Sequence, residues 1–235
     1  AILLVVFVIV LVAAGVVIAD RPTDLDIDPG AEFPEGFPNR PSSAVGVRTQ
    51  FTDIASLARS PLFGVTFLMV VCFAAPVGLL NVTIVEYTTD VGLGRRIGVL
   101  ALSVIGGMHI AGKFIGGGVS DRMGRPRTIA SGGTLMAVGI AVLLLIHSPW
   151  AVIVAAVVFG FGWGVWTGLL APLIADLFGT LSINALFGIT TIAFAISNSV
   201  APYLAGVGFD TFGSFAPEFA IAGAIGVAGG GLVLL

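Results

Sequence analysis

The chain has 235 residues, of which 57% are hydrophobic and 10% charged, with a formal net charge of −3. Soluble domains carry about 25% charged residues, so this composition, with a mean hydropathy of +1.11, excludes a soluble globular protein and points to an integral membrane protein. No basic surface accumulates to meet nucleic acid, and the single cysteine, Cys72, excludes an intramolecular disulfide or a cysteine-based metal site.

A membrane-spanning helix needs about 20 apolar residues. Seven runs reach that length, roughly 1–19, 61–84, 97–119, 128–147, 149–173, 183–206 and 216–235. They are apolar all round instead of alternating, which argues against a β-barrel. The reading is an all-α membrane protein with seven spans.

Run 1–19 opens at the first residue with neither an initiator Met nor a basic flank, and Leu235 stops inside another run. The chain is therefore read as a fragment whose missing portion precedes Ala1. No signal-peptide pattern is evident. Residues 20–60 form the one long connection. Its first half holds Asp20, Asp24, Asp26, Asp28, Glu32 and Glu35 among Pro22, Pro29, Pro34, Pro38 and Pro41. Such a segment buries almost no apolar surface and is expected to be disordered. In its second half Phe51, Ile54, Leu57 and Ala58 recur at helical spacing, with Thr52 as N-cap and Pro61 just beyond. This predicts a short amphipathic helix over about 51–59, lying on the membrane surface.

The six runs from 61 to 235 follow with short connections. The densest charge lies in Gly117-Gly118-Val119-Ser120-Asp121-Arg122-Met123-Gly124-Arg125-Pro126-Arg127, where four charged side chains fall within seven residues. They cannot sit in hydrocarbon, so this stretch marks one face of the bilayer. Loops 20–60, 120–127 and 174–182 carry Arg21, Arg40, Arg48, Arg59, Arg122, Arg125 and Arg127, whereas the alternate loops carry only Arg95 and Arg96. The positive-inside rule places the first set in the cytoplasm. The last helix then runs inward and the C-terminus is cytoplasmic.

The pattern Gly117-x-x-x-Asp121-Arg122-x-Gly124-Arg125-x-Arg127 resembles the signature loop of the major facilitator superfamily, and it stands where that family has it, between the second and third helices of a six-helix half. The resemblance implies that 1–19 is the last helix of an N-terminal bundle, 20–60 a cytoplasmic linker and 61–235 the C-terminal six-helix bundle. It also implies a missing N-terminal half as partner, with the loop acting as a conformational switch through Gly117, Asp121, Arg122, Gly124, Arg125 and Arg127. Asp121 is expected to accept from Arg125 or from a helix N-terminus. The same cluster also serves simply to hold the loop inside.

A finer resemblance is to the monocarboxylate and oxalate:formate transporter branch. It is carried by the stretch from Phe51 to Phe63, by Tyr87-Thr-Thr-Asp90-Val-Gly92, and by Ala175-Asp176-Leu-Phe-Gly179 with the stretch from Ala205 to Phe215.

Ionisable groups at bilayer depth are costly and are functional candidates by default. Lys113 sits near the end of the 97–119 run, one turn after His109, with Gly112 and Gly116 beside it. Two readings stand: the ammonium snorkels to the interface, or it binds a substrate carboxylate. The resemblance supports the second, because the branch carries a substrate-binding arginine eight residues before the signature aspartate, and Lys113 is eight before Asp121. Lysine lacks the bidentate fork of arginine. At the position of His109 the related pattern can hold an acid used in proton coupling, and histidine titrates in the physiological range. A carboxylate at Lys113 would offset the repulsion between the ammonium and a proton on His109, so anion and proton would load together. The alternative for His109 is a hydrogen-bonded packing residue.

Asn81, Asn184 and Asn198 are candidates for the cavity wall, or for interhelical hydrogen bonds. Trp163 and Trp166 lie among Gly160, Gly162, Gly164 and Gly168, either packed in glycine notches or lining the cavity. Glu86, Asp176 and Asp210 lie near span ends and read as solvated or capping groups. No Lys or Arg follows Arg127, whereas the oxalate:formate carriers use a second base in the eleventh span. A dianion would be poorly compensated, which favours a monoanion.

The expected function is secondary transport of a small monocarboxylate across the plasma membrane by alternating access, with proton symport. No cofactor is expected. The alternatives are an exporter of drugs or other organic compounds, or a non-transporting sensor or scaffold of the same fold. No nucleotide-binding loop or metal-ligand spacing suggests an enzyme.

Overall fold

The computed structural model describes residues 59–179 and 183–234, with the side chain of residue 212 excepted. The expected first span 1–19, the linker and the amphipathic helix over 51–59 lie outside them, apart from a turn at residue 59.

Six helices make up the described chain: α1 (Pro61–Asp90), α2 (Arg95–Met123), α3 (Arg125–Leu145), α4 (Pro149–Phe178), α5 (Ile183–Phe212) and α6 (Ala216–Val233). All six are long and apolar enough to cross a membrane. The fold is thus the all-α multi-pass bundle that the apolar runs predict. Helix starts follow local chemistry. Ser60 Oγ accepts from Phe63 N and Ser148 Oγ from Ala151 N, each just before a proline at the first helical position.

The helices overrun the apolar runs. At about 1.5 Å per residue, the 30 residues of α1 or α4 extend about 45 Å, well beyond a hydrocarbon core of about 30 Å. Polar ends such as Tyr87–Asp90 and Asp121–Arg122 are therefore helical, outside the core. The expected loop 120–127 shrinks to one residue, Gly124, whose φ of 85° turns the chain from α2 into α3. With ψ at 149° this conformation is nearly restricted to glycine, and a side chain there would cost about 1–3 kcal/mol.

Helix ends gather at two poles. At one, Phe63 meets Phe178 edge-on with centroids 5.7 Å apart, joining the start of α1 to the end of α4. At the other, Tyr87 donates its hydroxyl to Leu143 O at 2.9 Å and packs against Phe219, joining the ends of α1 and α3 to the start of α6. This is the up-down alternation on which the topology reading rests.

The core runs between α1, α3, α4 and α6 through Phe73, Met136, Phe159, Trp166 and Phe219, all at most 1% exposed. Helices α2 and α5 bury the smallest share of their apolar windows, 22% and 17%. Each presses one face into the bundle and leaves the rest uncovered.

Candidate functional site

The site lies on the seam between α2 and α4. Glycines set the seam. Gly164 of α4 meets the His109 carbonyl and the Cα of Gly112, and Gly112 of α2 meets the Phe161 carbonyl. Neither position has room for a Cβ, so the two backbones touch. Side chains beside the seam are consequently held within one or two atoms of the opposite helix.

His109 is half-buried there. Its ring stacks on Trp163 with centroids 4.0 Å apart and planes inclined by 22°. Its Nε2 lies 3.0 Å from Thr167 Oγ1. One turn along α2, Lys113 runs its stem over Gly168, with Cα, Cβ and Cγ all 3.2–3.4 Å from where a Cβ would stand. Lys113 is exposed on the bundle surface. Pro172 lies four residues beyond Gly168 inside α4 and has no N–H for the Gly168 carbonyl. Lys113 therefore packs on the residue whose carbonyl lacks a helical donor.

Because α2 continues to Met123, Lys113 lies about 15 Å along the axis from that end at about 1.5 Å per residue. His109 is a further turn from that end.

The other expected residues separate. Trp166, read from sequence as a possible cavity wall, is 1% exposed and packs between Phe73 and Phe194; it belongs to the core. Asn198, half-buried on α5, presses its backbone onto Gly78 of α1 and leaves its Oδ1 buried without a partner. Asn81 is half-buried on α1. Asn184 is exposed in the first turn of α5, at a span end instead of mid-depth. Sequence reasoning missed Thr167, whose only signal was its place four residues after Trp163 among the glycines of α4.

At the α2–α3 turn, Arg125 does not pair with Asp121 as expected. Its guanidinium makes an ion pair with Asp176 near the end of α4 and donates to Pro172 O at 3.4 Å. Gly124 aims α3 so that its first residue faces α4. Asp176, expected to be solvated or capping, stands near a helix C-terminus, where the dipole disfavours a carboxylate, and Arg125 offsets that. Among the described residues this is the only ion pair. Asp121, Arg122 and Arg127 are exposed, and Gly117 faces open space.

Residues 66–235 match the sequence profile of the Major Facilitator Superfamily. The chain belongs to this family. Membership accounts for the multi-pass helical architecture. Two solved structures of a mutant of the peptide transporter POT, one in complex with alafosfalin and one with sulfate, share the fold. Each has a TM-score of 0.66 and is 19% identical, covering 79% of this chain and 41% or 40% of the POT chain. The chain thus spans about two fifths of the length of these relatives. No curated protein matches it in sequence.

Proposed function

We propose that the protein is a secondary transporter for a small monocarboxylate. In this reading the six helices form half of an alternating-access path, and Lys113 supplies the cation that meets the carboxylate. The observation that carries it is an exposed lysine ten residues inside the end of α2, one turn from a half-buried histidine, on a helix whose surface the bundle leaves open. A cation there is costly without an anionic partner, and a substrate carboxylate is one. His109 is the group through which a proton travels with the anion. The cytoplasmic side is the Arg125 pole, on the weight of arginines there, and the membrane is the plasma membrane.

Peptide is the rival cargo, because the solved relatives are of a peptide transporter. A peptide brings an ammonium as well as a carboxylate, and the ammonium needs an anion. Among the described residues Glu86, Asp90, Asp121, Asp176, Asp210 and Glu218 all lie within five residues of a helix end. That distribution favours a cargo with negative charge alone.

The test uses the full-length protein in proteoliposomes. Uptake of labelled lactate, pyruvate or formate is measured with and without an inward proton gradient, beside a labelled dipeptide. Gradient-stimulated monocarboxylate uptake whose KM rises sharply in Lys113→Gln supports the reading. Dipeptide uptake in its place, or monocarboxylate uptake indifferent to Lys113→Gln, overturns it.

A further inference from the structure

The hydroxyl of Thr167 has one proton and three neighbours. Its Oγ1 lies 2.9 Å from Trp163 O and 3.3 Å from Gly164 O, both carbonyl oxygens of its own helix, and 3.0 Å from His109 Nε2. A proton aimed at Nε2 would leave two carbonyl oxygens facing the hydroxyl oxygen with nothing between them. A proton given to Trp163 O, the usual habit of a threonine within a helix, removes that repulsion. The oxygen then has a lone pair for Nε2, and Nε2 must be the donor.

We infer that Thr167 is a positioning residue that holds His109 in its Nε2–H tautomer, leaving Nδ1 as the atom that takes the proton during transport. The inference rests on the proton-coupled reading above. Neutral imidazole carries one donor and one acceptor nitrogen, so fixing Nε2–H fixes Nδ1 as acceptor. Nδ1 is the ring nitrogen that does not face Thr167. Trp163 holds the ring plane, and the Gly112–Gly164 contact holds the backbone that carries it. In the loading step a hydronium ion gives its proton to Nδ1 and becomes water; on release the proton returns to water at the other face.

The charges around this ring are few. Lys113 is one turn away on α2. Helix α4 brings only Asp176, at its far end and paired with Arg125. Helix α3 brings Arg125 and Arg127 at the Gly124 turn. Helix α1 brings Glu86, Tyr87 and Asp90 at the opposite pole, with Cys72 packed against α6 at Gly229. A carboxylate arriving beside Lys113 is therefore the principal new charge that the ring meets.

Two measurements on the full-length protein test this. Imidazole nitrogen NMR, with His109 assigned by its loss in His109→Gln, reads the tautomer without any substrate. The expected wild-type spectrum shows Nε2 protonated and hydrogen-bonded, and Thr167→Val weakens that bond and speeds exchange of its proton with water. A wild-type ring protonated at Nδ1, or an Nε2 signal unmoved in Thr167→Val, overturns the inference even if transport is as proposed. In vesicles, Thr167→Val is expected to displace the pH profile of uptake and Thr167→Ser to restore it. An unchanged profile in Thr167→Val overturns the coupling role. Absence of monocarboxylate uptake in the wild type counts against the transport reading, while the NMR result stands apart from it.

Discussion

His109 lies face to face with Trp163, the two rings 4.0 Å apart across the α2–α4 seam. A stacked pair of this kind is worth about 0.5–1.5 kcal/mol beyond the area it buries. The imidazole is thereby held at a fixed tilt, with one nitrogen toward Thr167. Trp163→Ala is expected to free the ring, lower the melting temperature of the full-length protein, and cut uptake more than Trp163→Phe does. Equal uptake in the two variants would show that the aromatic platform is irrelevant.

Lys113 gives the sharpest transport prediction. A hydrogen bond to a charged group is worth about 1.5–3 kcal/mol, so Lys113→Gln is expected to raise KM for the monocarboxylate about 10–100-fold. Lys113→Arg keeps the charge but adds a planar fork and is expected to retain measurable uptake. Substrate competition curves in vesicles read both values.

The Arg125–Asp176 pair calls for a smaller effect. Both side chains are largely accessible, at 39% and 53%, and exposed pairs contribute about 0.2–1 kcal/mol. A double-mutant cycle with Arg125→Ala and Asp176→Ala, read by thermal melting, is expected to return a coupling in that range that shrinks as salt rises. A coupling of several kcal/mol would mean that the pair is shielded in the whole protein.

The spans were legible because hydrocarbon demands uninterrupted apolar runs, and all six described helices lie on them. Their ends were not. A charge such as Asp121 or Arg122 reads as loop from hydropathy, yet nothing prevents the helix from carrying it out into water. Gly124 alone is enough to turn the chain. Lys113 and His109 stood out because ionisable groups are rare inside apolar runs. Thr167 did not, since its pairing with a residue 58 positions away depends on the register of two helices. Trp163 and Trp166 could not be told apart by periodicity either. They sit about 60° apart on one helix, and only packing sends one to the seam and the other to the core. The choice of Asp176 over Asp121 by Arg125 depends on where a one-residue turn aims α3.

The close approach of α2 and α4 predicts an asymmetric response to alanine. A Cβ on Gly164 would collide with the His109 carbonyl, which a helix backbone cannot withdraw. Overpacking of this kind costs about 1–3 kcal/mol. It would also push His109 off Trp163 and Lys113 off Gly168, so Gly164→Ala should lose uptake together with stability. Gly117, on the same α2 helix, has nothing within 4 Å of its would-be Cβ. Gly117→Ala should leave stability unchanged or raise it by about 0.5–1 kcal/mol, because alanine loses less backbone entropy in a helix. Melting curves for the two variants in one detergent make the comparison. If Gly164→Ala melts no lower than Gly117→Ala, the helices stand further apart than the seam requires, and the placement of His109 against Thr167 falls with it.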